Sequence, residues 1–311
     1  MNKTLVCLLA GLMAGFSFSA AAADAPDLKY GLYIHFGMDT FRHAGEKGQL
    51  PVERFAPASV NVKAWAHTAK EAGMTFAILT AKHESGFCLW DSQGYDYDIA
   101  HSPFKGDIIG DFIAACKAEG ILPGVHYSIP DAYNEGAVRF QGAVPPPYFK
   151  VIKQHITELH TKYPDLCILI LDASSRLSPA QSDELSRVAH WASDGLTTDT
   201  VIRGWMWSPT AKLNTAQQLF NKYQQCQAAG IALVLNVGPD PSGNIPDNQI
   251  AVLTQMKKLI ENSPSATAAT PAPAPQPSAS ARLKQVKSLY DQGLINKDDY
   301  DKKVKEIIDS L

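Results

Sequence analysis

Residues 167–172 read Cys-Ile-Leu-Ile-Leu-Asp, an unbroken apolar run that ends in a carboxylate. A strand with one face in water alternates apolar and polar residues, whereas a strand covered on both faces is apolar throughout. This segment therefore predicts a strand of a parallel sheet, with Asp172 at its carboxyl end. Such strands need other elements packed on both faces of the sheet.

Five further segments have the same apolar, β-branched character. The six candidate strands are Gly31–Phe36, Thr75–Ala81, Leu122–Tyr127, Cys167–Leu171, Thr200–Trp205 and Ala232–Val237. Helical repeats of apolar residues lie between them, at Val62–Gly73, Asp107–Gly120, Lys150–Tyr163 and Thr215–Gly230. Strands that alternate with helices in this way predict an α/β fold, a (β/α) TIM-like barrel. An open doubly wound sheet is the alternative, but the first strand-to-helix junction lacks a GxGxxG motif, so dinucleotide binding has no support.

The two ends of the chain differ in composition from this body. Residues 1–23 contain a basic residue, an apolar run and then small residues, which is typical of a cleavable secretory signal. We therefore expect a periplasmic or secreted protein. An uncleaved membrane anchor is the alternative, although the apolar run is shorter than the ~20 residues that a span needs. Residues 263–280 are rich in Pro, Ala and Ser and predict a linker, which separates a barrel at 24–262 from a helical hairpin at 281–311.

The charged residues and the cysteines argue against two classes of function. The chain has 28 Lys and Arg against 31 Asp and Glu, a net charge of -3, so a nucleic-acid binder is not expected. No CxxC motif occurs, so a thiolate zinc site has no support. The cysteines that remain after signal cleavage either form disulfides or lie buried as free thiols. They are Cys88, Cys116, Cys167 and Cys226.

Polar or aromatic side chains follow almost every predicted strand. In a (β/α) barrel the carboxyl ends of the strands face one shared pocket, so these residues should meet there. They are His35, His83, His126 with Tyr127, Asp172, Trp205 with Trp207, and Asn236. Imidazoles can bind sugar hydroxyls, indole faces can stack on a pyranose ring, and a carboxylate can attack the anomeric carbon. This combination favours carbohydrate chemistry.

Asp172 is the most informative of these residues, because a carboxylate directly after five apolar residues must be paired or hydrogen-bonded. A structural cap of the strand is the alternative interpretation. A mononuclear metal site formed by His35, His83, His126 and Asp172 competes with the sugar site. The aromatic residues and the single carboxylate favour the sugar, so we expect neither a metal nor a cofactor.

Six motifs occur in one order across nearly the whole predicted barrel. They are Lys29–Gly37 (KYGLYIHFG), Trp65–Gly73 (WAHTAKEAG), Leu79–Ser92 (LTAKHESGFCLWDS), Gly124–Ser128 (GVHYS), Arg203–Trp207 (RGWMW) and Leu235–Asp240 (LNVGPD). Together they resemble the α-L-fucosidases of glycoside hydrolase family 29. The resemblance implies a retaining hydrolase in which Asp172 is the nucleophile, and His35 and His83 bind hydroxyl groups of fucose.

The resemblance leaves the second catalytic carboxyl group open. Family members that share the Gly-Trp-aromatic segment often carry a Glu shortly before it, where this sequence has Asp199. We therefore consider Asp199 first and Glu184 next, and also Glu84, which replaces one of the family's paired histidines. The remaining candidates are expected to bind the sugar. They are His126, where the family has a tyrosine, and Tyr127, Trp90, Trp205 and Asn236.

The implied partner is a fucosylated glycan or another small glycoside. Glu84, Ser85 and His126 depart from the family pattern, so a catalytically impaired carbohydrate-binding or scaffolding protein is the alternative. In place of the family's usual C-terminal β-sandwich, residues 281–311 resemble the short helical domain called SHOCT. The apolar stripes of this segment predict self-association, and no stable membrane insertion is expected after signal cleavage.

Overall fold

The computed structural model of the protein describes residues 28–189, 196–263, 287 and 297–308. The predicted signal segment 1–23 lies outside these residues, as do nearly all of the predicted linker and the first half of the predicted hairpin. The chain divides into two compact units, Met1–Ile260 and Glu261–Leu311. Among the described residues, no helix is both long enough and apolar enough to cross a membrane.

Six parallel strands form one sheet in the first unit. They are β1 (Tyr30–Ile34), β2 (Phe76–Lys82), β3 (Leu122–Ser128), β4 (Ile168–Asp172), β5 (Leu196–Thr200) and β6 (Ala232–Val237). Their order in the sheet is β4-β3-β2-β1-β6-β5, so the last strand returns to pair with the first. A doubly wound sheet instead reverses its direction at a switch point. The observed cyclic order is the winding of a barrel and argues against the doubly wound alternative.

The sheet is curled but does not close within the described residues. β4 and β5 form its two edges, and no hydrogen-bonded pair joins them. A closed TIM barrel has eight strands, whereas this sheet has six, so the structure is a half-barrel. This result confirms the parallel α/β architecture with a curled sheet, whereas the described residues do not show closure into a TIM-like barrel.

Helices connect the strands. They are α1 (Val62–Glu71), α2 (Ile108–Glu119), α3 (Ala132–Glu135), α4 (Pro146–Lys162), α5 (Pro179–Ser186), α6 (Ala216–Ala229) and α7 (Asp247–Asn262). The Asp107 side chain accepts a hydrogen bond from the Gly110 amide at the start of α2, and Gly120 ends this helix with a φ of 69°. Thr215 caps the start of α6 in the same way. These capping residues explain why the helix limits could be read from the sequence.

Side chains alternate between the two faces of each strand and form two separate apolar cores. The larger core lies between the sheet and the helices, and from the strands it includes Leu32, Ile34, Leu79 and Leu235. The smaller core fills the concave face of the sheet with Tyr33, Phe76, Ile78, Ala232 and Val234. A residue that pairs in register with one of these residues lies on the same concave face. So does a residue two positions later on the same strand.

All four cysteines of the described chain are free thiols. Cys88, Cys116 and Cys226 are buried and Cys167 is exposed. Of the two possibilities left by the sequence, the structure has reduced thiols rather than disulfides.

The second unit contains helix α8 (Lys297–Ile308). Lys297 and Asp301 form an ion pair one turn apart, with Nζ 3.0 Å from Oδ2. Tyr300 and Val304 are partly buried, whereas Lys302 is exposed, so the helix is amphipathic.

Candidate active site

Five aromatic and imidazole rings meet at the carboxyl end of the sheet. Tyr33 belongs to β1 and His35 follows it, His83 follows β2, His126 belongs to β3, and Trp205 lies in the chain after β5. The ring centre of His35 lies 4.7 Å from that of His83, 6.1 Å from that of His126 and 5.7 Å from that of Trp205. The structure thus brings together four residues that the sequence assigned to one pocket, and it adds Tyr33. We call these five residues the ring cluster.

Asn236 fixes the orientation of His35. The Nδ2 atom of Asn236 donates to Oγ1 of Thr200 and to the backbone oxygen of Trp205, each at 3.0 Å. The Oδ1 atom of the same amide must therefore accept, and Nδ1 of His35 lies 3.1 Å from it. This arrangement makes Nδ1 the donor of the neutral ring and leaves Nε2 as an acceptor. An acceptor here can receive a hydrogen bond from a sugar hydroxyl.

Two histidines of the ring cluster are held in the neutral form. Burial lowers the pKa of His35 well below its usual value, and the neighbouring His83 and His126 lower it further. Burial likewise lowers the pKa of His126, with added contributions from His83 and Lys82. Both imidazoles therefore stay uncharged at neutral pH and can act as hydrogen-bonding groups for a neutral ligand.

Several buried polar atoms of the ring cluster have no hydrogen-bond partner within the described residues. They are the hydroxyl of Tyr33, Nε2 of His35, Nδ1 of His83 and Nδ1 of His126. A buried polar group without a partner costs about 1–3 kcal/mol, so folded proteins rarely keep several together. Their convergence is typical of a site that a polar ligand completes.

Asp172 lies beside the ring cluster on the concave face of the sheet. It pairs in register with Ser128, whose Oγ donates to Oδ2 of Asp172 at 3.4 Å. The side chain of Asp172 is exposed, because β4 is an edge of the open sheet. Burial raises the pKa of Tyr33, and the nearby charge of Asp172 raises it further. The carboxylate is therefore within electrostatic reach of the rings while it stays open to solvent.

The backbone directly after Asp172 is strained. Ala173 adopts a left-handed conformation with a φ of 55°, and in the described part of the chain it is the one non-glycine residue with a positive φ. Strain of this kind concentrates at functional sites. It marks the turn that presents Asp172 at the end of β4.

Glu84 follows His83 and lines a large cleft next to the ring cluster. The cleft has a volume of about 1340 Å³, and its walls include His83, Asp39, Trp207 and Arg139. Pockets for small ligands have volumes of about 300–1,000 Å³, so this cleft has room for more than one sugar unit. Of the three candidates for the second carboxyl group, Glu84 is the one that the structure brings to this side of the sheet.

Asp199 and Glu184 lie elsewhere. Asp199 pairs in register with Leu235, whose side chain packs in the outer core, so Asp199 lies on the face opposite to the ring cluster. Glu184 belongs to α5, where its Oε1 lies 2.6 Å from Nζ of Lys153 on α4. Both carboxylates therefore belong to the helical side of the sheet.

Trp90 and Tyr127 also lie outside the ring cluster. Trp90 is buried, and its Nε1 donates to Oε2 of Glu158 at 2.9 Å. The hydroxyl of Tyr127 lies 3.0 Å from Nδ1 of His155. Protein groups thus already satisfy the polar atoms of both residues on the outer face of the sheet.

A buried ion pair that the sequence did not reveal supports the site. Nζ of Lys82 lies 3.0 Å from Oδ2 of Asp131, and neither side chain is exposed. Lys82 also donates to the backbone oxygen of Ser128 at 2.7 Å, so the pair holds the strand end that contacts Asp172. A Cβ atom on Gly86 would lie 2.3 Å from Oδ1 of Asp131, which explains the glycine in this loop.

Asp39 is a second residue that the sequence analysis did not single out. Its Oδ2 lies 3.7 Å from Nδ1 of His83, and its Oδ1 accepts from Nε of Arg42 at 2.8 Å. Burial alone would raise the pKa of Asp39, but the neighbouring His83 and Arg42 side chains lower it below its usual value. Asp39 therefore stays ionised. Its place shortly after the first strand end was the signal that could have found it.

The residues considered as a metal site do not form one. Within residues 28–189, 196–263, 287 and 297–308, no group of three or more His, Cys, Asp and Glu side chains could hold a metal ion.

The family model described as alpha-L-fucosidase matches residues 49–198 and 180–263 of this chain. The chain belongs to the alpha-L-fucosidase family. The resemblance of the sequence motifs to this family is thereby confirmed for the barrel segment, whereas the resemblance of the C-terminal segment to SHOCT stays a prediction.

Relatives in the alpha-L-fucosidase family come from plants and a slime mould. Alpha-L-fucosidase 1 of Arabidopsis thaliana is 26% identical over 293 residues, which cover 73% of this chain and 57% of that protein. The alpha-L-fucosidase of Dictyostelium discoideum is 20% identical over 332 residues, covering 79% and 71%. The chain spans just over half the length of the plant relatives that it matches.

Solved alpha-L-fucosidase structures share the fold. The unliganded enzyme of Lactobacillus casei has a TM-score of 0.62 and 22% identity, and the match covers 75% of this chain and 95% of that one. A trapped covalent intermediate of an alpha-L-fucosidase from Bacteroides thetaiotaomicron, in complex with 2-fluoro-fucosyl fluoride, has a TM-score of 0.63 and 18% identity. That match covers 76% of this chain and 74% of the other.

Proposed function

We propose that this protein is a retaining α-L-fucosidase in which Asp172 is the nucleophile. The observation that carries the proposal is the ring cluster beside Asp172, where several buried polar atoms have no hydrogen-bond partner among the described residues. A fucose ring carries hydroxyl groups that can satisfy these atoms, and family membership supports this choice of sugar. The trapped covalent intermediate of the Bacteroides thetaiotaomicron enzyme supports a covalent route.

The first half of the reaction breaks the glycosidic bond. The Asp172 carboxylate attacks the anomeric carbon and forms a glycosyl ester, while a carboxylic acid donates its proton to the leaving oxygen. The hydrogen bond that Ser128 donates to Oδ2 orients the carboxylate without using Oδ1. His35, His83 and His126 hold the hydroxyl groups, and the half-exposed indole of Trp205 covers the sugar from the solvent side.

The second half of the reaction releases fucose. The carboxylate left by the acid takes a proton from water, the water oxygen bonds to the anomeric carbon, and the ester bond to Asp172 breaks. We assign the acid and base roles to Glu84, because it lines the cleft beside His83. Asp39 lines the same cleft, but His83 and Arg42 keep it ionised, so it cannot supply the proton.

The cleft beside Glu84 is the proposed place for the leaving group. Its volume of about 1340 Å³ suits a glycan rather than a single small alcohol. The proposed substrate is therefore a fucosylated glycan, with fucose at the ring cluster and the remaining sugars between Glu84 and Trp207.

Sugar binding without turnover is the second candidate function. Two of the three predicted acids, Asp199 and Glu184, lie on the outer side of the sheet, and this position favours binding without turnover. Glu84 is the one of the three that lines the cleft beside His83. A protein of this kind would bind fucose through the ring cluster and release no product.

Export and self-association complete the proposal. The composition of residues 1–23 supports export to the periplasm or the medium. The amphipathic helix α8 supports self-association through residues 281–311, since a single short helix buries little apolar surface by itself.

Hydrolysis of an aryl α-L-fucoside tests the proposal. The wild-type protein should release the phenol, and Asp172→Asn should lower kcat by at least ~10³-fold. Release no faster than with Asp172→Asn would reject hydrolysis of this sugar. Calorimetric binding of L-fucose without release would then support the binding protein.

A further inference from the structure

Tyr33 is part of the ring cluster, and its hydroxyl is buried without a partner in the described residues. Burial raises the pKa of Tyr33, and the neighbouring Thr80 hydroxyl partly lowers it. However, the Thr80 hydroxyl donates to the Ile34 backbone oxygen at 3.2 Å and forms no hydrogen bond of normal geometry with the phenol. A phenylalanine would fill the same space without a polar atom to satisfy. The hydroxyl is therefore a cost of about 1–3 kcal/mol in the absence of a ligand.

The surroundings of Tyr33 indicate which ligand would supply the missing partner. Its ring centre lies 4.6 Å from that of His35, 5.2 Å from that of His126 and 6.5 Å from that of Trp205. The imidazoles of His35 and His126 each have one unpartnered nitrogen of their own. One molecule with several adjacent hydroxyl groups could satisfy all three residues together.

Tyr33 can act only as a neutral phenol in this position. Burial, followed by the charge of Asp172, raises its pKa well above the usual value, so the proton stays on the oxygen. A protonated phenol donates one hydrogen bond, whereas Nε2 of His35 accepts one. The two groups therefore complement each other toward a hydroxylated ligand.

Tyr30 lies on the same strand as Tyr33 but on the opposite face of the sheet. Its hydroxyl is also buried without a partner. However, Tyr30 packs in the outer core, where its ring centre lies 5.4 Å from that of Tyr223 on α6. It has no access to the ring cluster on the concave face.

We infer that Tyr33 is a further sugar-binding residue, whose hydroxyl donates a hydrogen bond to a hydroxyl group of the bound fucose. The inference rests on the proposed function, because it assigns one more contact at the same sugar site. Tyr33 lies on β1 and His126 on β3, two strands apart in the sheet, and their ring centres are 5.2 Å apart. Trp205 is 45% exposed, and its ring centre lies 6.5 Å from that of Tyr33.

The test compares Tyr33→Phe with Tyr30→Phe in the full-length protein. Both changes remove one unpartnered buried hydroxyl from β1 and keep the ring, so neither should lower the melting temperature. Tyr33→Phe should raise the calorimetric Kd for L-fucose about five- to tenfold and lower kcat/KM for an aryl α-L-fucoside by a similar factor. Tyr30→Phe should leave both values unchanged.

The possible outcomes separate the inference from the proposed function. If the wild-type protein neither binds nor hydrolyses the fucoside, the proposed function itself fails. If the wild type is active and Tyr33→Phe matches it, the inference is wrong while the proposed function stands. A melting temperature of Tyr33→Phe clearly below that of the wild type would also overturn the inference. It would show that the Tyr33 hydroxyl has a partner within the protein.

Discussion

The Nδ1 atom of His35 lies 3.1 Å from the Oδ1 atom of Asn236, across the pairing of β1 with β6. Both donor positions of the Asn236 amide are already used, by Thr200 and by the Trp205 backbone. This contact therefore determines which nitrogen of His35 carries the proton. It also ties the chain segment that bears Trp205 to the histidine beneath it.

Replacement of Asn236 by alanine should impair both activity and stability. Because His35 loses the acceptor that fixes its ring, kcat/KM for an aryl α-L-fucoside should fall about 10- to 100-fold. The unpaired groups left behind should lower the free energy of unfolding by about 1–3 kcal/mol, measured by urea denaturation. Asn221→Ala, at an exposed position on α6, is the control and should change neither value. Full activity in Asn236→Ala would refute the positioning role.

The assignment of Glu84 as the acid predicts a dependence on the leaving group. Glu84→Gln should lower kcat for a natural fucosyl-glycan by about 10²- to 10⁴-fold, since the sugar alcohol needs a proton to leave. A 2,4-dinitrophenyl fucoside needs little protonation, so its first step should be much less affected. Rates of glycosyl-enzyme formation, measured by single-turnover kinetics for the two substrates, check this difference.

Asp199→Asn and Glu184→Gln are matched controls for Glu84. Because these carboxylates lie on the helical side of the sheet, both variants should hydrolyse the glycan at the wild-type rate. A large loss in either variant, with Glu84→Gln fully active, would move the acid role away from Glu84.

Acidification should destabilise the fold through its buried histidines. Burial lowers the pKa of His35 and His126, and it lowers that of His155 to about 3, with help from Lys82. In the unfolded chain these histidines have a pKa of about 6.5, so below that pH they hold more protons than in the native state. The free energy of unfolding should therefore fall as the pH drops below about 6.5, by up to ~1.4 kcal/mol per pH unit for each histidine.

Urea denaturation at several pH values measures this slope. His155→Phe should make the slope shallower, because one neutral buried imidazole is removed. His160→Gln, at an exposed position on α4, should leave the slope unchanged. The same slope in wild type and His155→Phe would show that this histidine does not contribute.

Because Lys82 and Asp131 form an ion pair, substitutions at these two positions should have non-additive effects on the free energy of unfolding. Lys82→Met or Asp131→Asn alone breaks a fully buried contact, and Lys82→Met should cost about 3–5 kcal/mol because it leaves a buried charge unpaired. The double variant leaves no unpaired charge, so it should be more stable than the sum of the two single effects. Chemical denaturation of the four proteins gives the coupling energy, and strict additivity would contradict the pair.

Local signals in the sequence predicted most of the fold. Five of the six strands match their predicted ranges to within two residues at each end, because their apolar runs are buried as expected. The exception is β5, which is polar and ends at Thr200, where the predicted strand begins. Val201 and Ile202 gave the apolar signal, but they follow the strand, and Ile202 forms an isolated antiparallel bridge with Leu213.

The site was harder to predict where it depends on strand faces and distant contacts. His35, His83 and His126 could be grouped, because each lies at or near the end of a strand. The outward position of Asp199 depends on the register of β5, which its sequence Leu-Thr-Thr-Asp-Thr does not reveal. Asp131 is identified only by its distant contact with Lys82, which no local pattern shows.

Covalent labelling of Asp172 tests the central claim most directly. The protein would be incubated with 2-fluoro-fucosyl fluoride, digested and mapped by mass spectrometry. We predict one fluorofucosyl group, esterified to Asp172, and no label in Asp172→Asn. A label on another carboxylate, or no label in a protein that hydrolyses aryl fucosides, would contradict the assignment of Asp172 as the nucleophile.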